Sequence, residues 1–342
     1  MLARTEPTPI RRPTFLGADR GTPQDPRAAD LVVVGIPYTT PHDLAASRAP
    51  SSPAPATVRE QSLRLADRVN HYDFDFGGPL LAGRRLRLVD WGDVGGRPGR
   101  YAENADLATA VIRAVLDRRA LPIVLGGDHA AAIPALRAYG EQGPLAVIHL
   151  GPTLDWCDEV NGVEDGPRSA MRRAAEVPGV TAMMQVGLRG DGAGREVEAA
   201  RAFGSVLVRA EELHELGVRE ILRRLPAAAG YHVSLDAGAL DPAIAPGVDV
   251  PAFGGLTYFE ATNLLKGIAA RAPVVGFDLV GIVPAHDLND QTSLLGARLI
   301  LNLVGALAHA GRIGEPLDVA AIPSPPHRQP SAAEPVRESV PS

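Results

Sequence analysis

A disulfide is excluded first, because Cys157 is the only cysteine in 342 residues. A zinc cage of thiolates is excluded with it. Lysine is equally scarce: of 34 basic residues, all but Lys266 are arginine, which reads as a compositional bias rather than a selected basic surface. The net charge of −6 comes with no basic block, so the chain has no electrostatic footprint for nucleic acid or an anionic membrane. Long apolar runs are missing too. Those at 31–35 and 122–125 fall far short of the roughly 18 residues that argue for a membrane-spanning helix. Arg4, Arg11 and Arg12 are followed by no apolar stretch, which argues against a secretory signal. The expected compartment is the cytoplasm.

With 45% apolar and 22% charged residues, the composition is that of a globular protein able to bury a substantial core. Residues 1–28 are rich in Pro, Arg and Thr without periodicity, and 314–342 are rich in Pro and Ser. Both read as flexible extensions that lack the apolar area to order themselves, around a single domain at 29–313. Within it, continuous apolar runs predict strands at 31–35, 86–89, 122–125, 145–150, 180–186, 205–208, 231–235 and 274–279. Such runs suit strands covered on both faces. Helical patterns alternate with them. Asn104 is placed to cap a helix with an apolar stripe from Leu107 to Leu116, and Thr292 precedes another built on Leu294, Leu295, Leu299, Leu303 and Leu307. The prediction is a three-layer α/β/α fold around a central, mostly parallel eight-stranded sheet. Ligands in such sheets bind beyond the C-terminal ends of the strands.

Four segments lie at those ends: Gly126-Gly127-Asp128-His129, then Gly151-Pro152-Thr153-Leu154-Asp155, then Ser234 to Gly247, and Gly276-Phe277-Asp278-Leu279-Val280-Gly281. In order and spacing they resemble the ureohydrolases, the family of arginase, agmatinase and the amidinohydrolases. The likeness covers roughly 30–312 and extends to Leu188-Arg189-Gly190 and Phe253-Gly254-Gly255-Leu256-Thr257-Tyr258.

The resemblance implies the arginase-like fold, hydrolysis of C–N bonds in linear amidines, and two manganese ions about 3.5–4 Å apart activating a shared water. It also implies six metal ligands, from Gly-Gly-Asp-His, Asp-Ala-His-x-Asp and Asp-x-Asp segments. Carried over residue by residue, three remain: His129, Asp155 and Asp236. Gly151, Thr153 and Gly238 stand where the other three are expected. Gly281 stands where the family places a glutamate that receives the guanidinium, and 48–55 departs from the family's early Arg-Pro-Gly segment.

Two close divalent cations carry four positive charges, and the three surviving groups bring at most two negative ones and an imidazole. A dinuclear manganese cluster is therefore not expected. One divalent ion, Mn2+ by the resemblance, remains possible on His129, Asp155 and Asp236, since three protein ligands plus water suffice in some sites. No catalytic residue is assigned. His149 is either a replacement ligand or a buried, satisfied histidine. Asp249 is either a pocket wall or a solvated loop carboxylate, and Cys157 has no evident base beside it. Asp241-Pro242 shapes its loop.

Two functions follow. In one, the chain is a pseudoenzyme that no longer hydrolyses guanidino compounds and acts as a regulatory or small-molecule-binding subunit. In the other, it is a C–N hydrolase with a residual single-metal site. The expected partners are a small-molecule ligand and either further copies of the chain or an active paralogue. Neither nucleic acid nor a membrane is expected.

Overall fold

The structure, a computed structural model, describes residues 13–24, 28–38, 52–97 and 99–317. Nine strands form one sheet: β1 (Asp19–Arg20), β2 (Leu31–Ile36), β3 (Leu88–Asp93), β4 (Leu121–Gly126), β5 (Leu145–Leu150), β6 (Val180–Leu188), β7 (Val206–Arg209), β8 (Gly230–Asp236) and β9 (Val274–Val280). Their order across the sheet is β1-β3-β2-β4-β9-β8-β5-β6-β7, and every neighbouring pair is parallel.

The expected eight-stranded sheet thus has a ninth strand, inside the stretch read from sequence as a flexible extension. Phe15 explains this, because its ring is fully buried and its amide donates to the Asp90 carboxylate at 2.8 Å. One buried aromatic anchors a segment whose composition otherwise favours disorder. The C-terminal boundary moves as well. Glu315–Pro316 pairs antiparallel with Arg84–Arg85, whose Arg84 also binds the carbonyls of Ile313 and Gly314. The ordered domain therefore reaches residue 317.

Nine helices cover the sheet among the described residues: α1 (Ala54–Ala66), α2 (Tyr101–Leu116), α3 (Ala132–Arg137), α4 (Ala170–Ala175), α5 (Gly194–Phe203), α6 (Ala210–Leu216), α7 (Val218–Leu222), α8 (Tyr258–Arg271) and α9 (Gln291–His309). Successive strand residues point to opposite faces. Leu31 and Val33 accordingly join a core with α1 and α6 to α9, while Val32, Val34 and Ile36 face the layer of α2 and α3. Thr257 and Glu260 close a reciprocal capping box at the start of α8.

Helix α9 has the length and composition to cross a bilayer, yet most of it is buried in this core. It starts one residue before Thr292, whose hydroxyl accepts from the Gly247 amide at 2.8 Å instead of capping. Asn104 does not cap α2 either, because the helix begins at Tyr101. Its side chain turns back to pair with both the N–H and the carbonyl of Arg97 at 2.9 Å.

Candidate functional site

The polar groups of the site lie on one row of the sheet. Parallel pairing aligns Gln185 on β6 with His149 on β5, His149 with Ser234 on β8, and Ser234 with Asp278 on β9. All four are fully buried. Lying in register, they share the face that carries Val147 into the layer of α3 and α4. Beyond the end of β4, a short 3-10 turn brings His129 over this row.

His129 links the row to the second motif. Its Nδ1 lies 2.6 Å from Asp155 Oδ2, and its Nε2 lies 2.9 Å from Ser234 Oγ. The Ser234 hydroxyl donates to Asp278 Oδ1 at 2.7 Å, so its one proton is committed and it must accept from His129. Both ring nitrogens then carry protons, making His129 an imidazolium. Burial alone would lower its pKa. The hydrogen bond to Asp155 and the charges of Asp155, Asp236 and Asp278 outweigh burial and push it up to about 9.

Asp155 is held from several sides. Burial favours its neutral form, but His129 and the Thr153 hydroxyl, donating at 2.7 Å, hold its pKa below the ordinary value. Its backbone has φ 49°, and its carbonyl accepts from the amides of Met171 and Arg172. The residue therefore anchors the start of α4 as well as the site.

His149 is the least satisfied member. Gln185 Nε2 lies 3.2 Å from its Nδ1 and also donates to the Leu154 carbonyl, while Gln185 Oε1 accepts from Ser205. That orientation makes Nδ1 an acceptor and puts the ring proton on Nε2. No partner meets Nε2, and Asp155 Oδ2 is 4.0 Å away. Burial, then the charge of His129, push this imidazole down to about 3. A Cβ at Gly151 would lie 2.0 Å from Nε2, so the ring stands where a side chain at 151 would begin.

Of the residues expected as ligands, the structure brings His129 and Asp155 together. It adds His149, the donor atoms of the three lying within 4.8 Å of one another. Asp236 is outside that cluster. Its Oδ1 accepts from the Gly238 amide at 2.7 Å, and burial, with Asp155 nearby, raises its pKa to about 6. Two imidazoles and a carboxylate are a donor set suited to one divalent transition ion. Such an ion would have to displace protons from the two nitrogens facing it.

Two further carboxylates have structural roles or none. Asp241 accepts from the amides of Ala243, Gly254 and Gly255, as expected of a loop-shaping residue. Asp249 is exposed. Cys157 donates to Glu196 at 3.2 Å, and burial with that carboxylate raises its pKa, the opposite of an activated thiolate. Residues 48–51 lie outside the described residues.

Sequence reasoning assigned no part to Ser234, Asp278, His232 or Gln185. His232 Nε2 pairs with Asp278 Oδ2 at 2.7 Å, and its Nδ1 meets the Tyr139 hydroxyl at 3.0 Å. The buried chain thus runs from Asp155 through the sheet to Tyr139. The period-2 spacing of His232, Ser234 and Asp236 was the available signal.

Arg189 fastens the loop after β8. It donates to the carbonyls of Gly238, Ala239, Leu240, Ala252 and Gly187. Beside it a cavity of about 400 Å³ opens from Thr153 and Asp155 toward Arg168, Glu196 and Arg201.

The sequence pattern of the arginase family matches residues 29–305. The chain belongs to the arginase family. It is 31% identical over 310 residues to guanidinopropionase of Pseudomonas aeruginosa, covering 87% of this chain and 92% of that one. It is 32% identical over 308 residues to proclavaminate amidinohydrolase of Streptomyces clavuligerus, covering 88% and 94%. The solved structure of a Streptomyces clavuligerus proclavaminate amidinohydrolase superposes with a TM-score of 0.74 at 30% identity, over 88% of this chain and 98% of that one. The polar row and the cavity lie toward the C-terminal edge of the sheet, where parallel α/β folds bind ligands.

Proposed function

We propose that this arginase-family chain is a pseudoenzyme toward guanidino compounds, a regulatory or small-molecule-binding subunit that does not build the dinuclear manganese cluster. One argument carries the reading: the surrounding hydrogen-bond partners put a proton on each imidazole nitrogen facing the site. His129 gives both protons, to Asp155 and Ser234, and His149 presents Nε2–H. Gly151, Thr153 and Gly238, at the positions aligned with the family's other ligands, offer no imidazole or carboxylate in compensation. Loss of even an outer partner typically lowers metal affinity about 10–100-fold, and three direct ligands matter more.

The test is urea release from agmatine, arginine, 3-guanidinopropionate and 4-guanidinobutyrate by purified protein loaded with Mn2+. No turnover above the protein-free control is expected. Turnover at ordinary enzymatic rates would overturn the reading.

A second reading has its own support. Asp155, His129 and the unpartnered His149 Nε2 form a pocket for one ion, with Asp236 as a further negative group beside it. The related guanidinopropionase and amidinohydrolase names fit a C–N hydrolase using it. Metal analysis of protein purified without chelator separates the two, since this reading requires one equivalent of Mn, Fe, Ni or Zn per chain. Light scattering, alone and with an active paralogue, tests whether the chain assembles with itself or with that partner.

A further inference from the structure

At the other edge of the sheet, away from the polar row, a cavity of about 550 Å³ opens among the N-terminal ends of β2, β4, β5, β8 and β9. Much of its lining is apolar, including Leu116, Leu121, Leu145, Val274, Val275 and Leu307. Backbone ties between neighbouring strand starts hold its shape. The Leu121 amide donates to the Asp30 carbonyl at 2.9 Å, the Ala229 amide to the Pro144 carbonyl at 3.0 Å, and the Tyr231 amide to the Pro273 carbonyl at 2.8 Å. Tyr139 adds a fixed ring, because it is buried and its hydroxyl meets His232 Nδ1 at 3.0 Å and the Val275 carbonyl at 3.1 Å. The cavity is preformed, as small-molecule sites usually are.

Its charged lining side chains are Asp30, Arg119 and Arg312. The Asp30 carboxylate accepts from the Arg87 amide at 2.7 Å. Arg312 spends Nε and Nη2 on the carbonyls of Ala269 and Ala270 at the end of α8, which fixes its guanidinium and leaves Nη1 without a partner among the described residues. The Arg119 side chain is exposed and has no hydrogen-bond or ion-pair partner among them. Its backbone has φ 56° just beyond the end of α2, a conformation that favours glycine. A guanidinium thus stands where local geometry favours no side chain at all. Two positive charges face one negative charge, so the rim is cationic over an apolar floor.

We infer that this cavity is a second ligand site, taking a monocarboxylate with an apolar body. The carboxylate pairs with Arg119 and the unused edge of Arg312, and the body covers the leucines and valines beneath. Planar guanidiniums suit a carboxylate, which can accept two parallel hydrogen bonds. The volume lies within the usual range for small-molecule sites. An organic cation meets the wrong net charge here, and a small inorganic anion leaves the apolar floor wet. The inference goes beyond the pseudoenzyme reading and does not rest on it, because the cavity lies at the opposite edge of the sheet from His129 and Asp155.

The experiment is calorimetric titration of the full chain with four probes: 3-phenylpropionate, its neutral amide, the protonated 3-phenylpropylamine, and acetate. The expected order is 3-phenylpropionate tightest, with the other three each at least about tenfold weaker. Arg119→Gly should weaken 3-phenylpropionate about tenfold, the lower end for losing a hydrogen bond to a charged group. Glycine suits the left-handed backbone at that position, so this variant should melt as the wild type does. Arg168→Ala, in the cavity at the C-terminal edge, should leave the affinity unchanged. Absence of saturable 3-phenylpropionate binding, equal binding of the amide, the amine or acetate, or unchanged affinity in Arg119→Gly would each overturn the inference. So would a loss of binding in Arg168→Ala, which would place the ligand at the other edge.

Discussion

His129 Nδ1 and Asp155 Oδ2 stand 2.6 Å apart in the buried site, a charged pair that joins the turn after β4 to the loop after β5. Removing one partner leaves the other charge buried and unanswered, which typically costs about 3–5 kcal/mol. His129→Ala should therefore shift the urea midpoint strongly. Asp155→Ala should do the same, while the backbone carbonyl that holds the start of α4 is retained. His129→Ala together with Asp155→Ala should cost less than the sum of the two, and a strictly additive pair would refute the coupling.

Stability should depend on pH with two limbs of opposite origin. His129 holds its proton more tightly folded, at about 9 against 6.5 unfolded. Its contribution, on the order of 3 kcal/mol, is complete below about pH 6.5 and is lost as pH rises through 9. His149 is displaced the other way, to about 3, so its contribution is complete above about 6.5 and is lost as pH falls. Denaturation midpoints of the metal-free protein should peak near neutrality. His129→Gln should flatten the alkaline limb and His149→Gln the acid one.

Gly151 and His149 compete for one volume. Because a Cβ at 151 would sit 2.0 Å from Nε2, Gly151→Ala should destabilise by about 1–3 kcal/mol, as overpacking does. His149→Ala together with Gly151→Ala should recover most of that loss in a double-mutant cycle. Equal penalties from Gly151→Ala in both backgrounds would disprove the steric coupling.

Restoring a family-like glutamate at 281 should fail on its own. Gly281 has φ +78° and a Cβ there would meet Asp236 Oδ1 at 2.2 Å, two independent sources of strain. Gly281→Glu should lower the melting temperature by several degrees and yield no guanidino hydrolysis. Gly238→Ala, whose Cβ would find nothing nearer than 3.2 Å, should cost less. Reversal of that order in thermal melts would contradict the structure.

Arg189 should matter to the loop more than to the core. Arg189→Ala removes donors from five carbonyls. The expected loss is about 1–3 kcal/mol, with faster hydrogen exchange at Gly238 and Leu240. Unchanged exchange there would show that the loop holds its shape without the guanidinium.

Much of the fold was legible because its signals are local. Continuous apolar runs announced eight of the nine strands, and strand–helix alternation announced parallel pairing. Position errors came where a distant contact overruled composition: Phe15 buried against Asp90, Glu315 paired with Arg85, and Asn104 turned toward Arg97 instead of capping. In the site, the motifs pointed to His129, Asp155 and Asp236; the structure groups donor atoms of the first two with His149, and Asp236 accepts from the Gly238 amide.

The sequence by itself determined the family and the parallel α/β fold, since both depend on short segments in a given order. Only the tertiary structure decided which polar side chains meet. Parallel register puts Gln185, His149, Ser234 and Asp278, residues from four separate strands, on one buried row. Hydrogen-bond donors and acceptors along that row then set the proton on each ring. No local pattern encodes which strands become neighbours, so neither the charge of His129 nor the competition between His149 and position 151 could be read before folding.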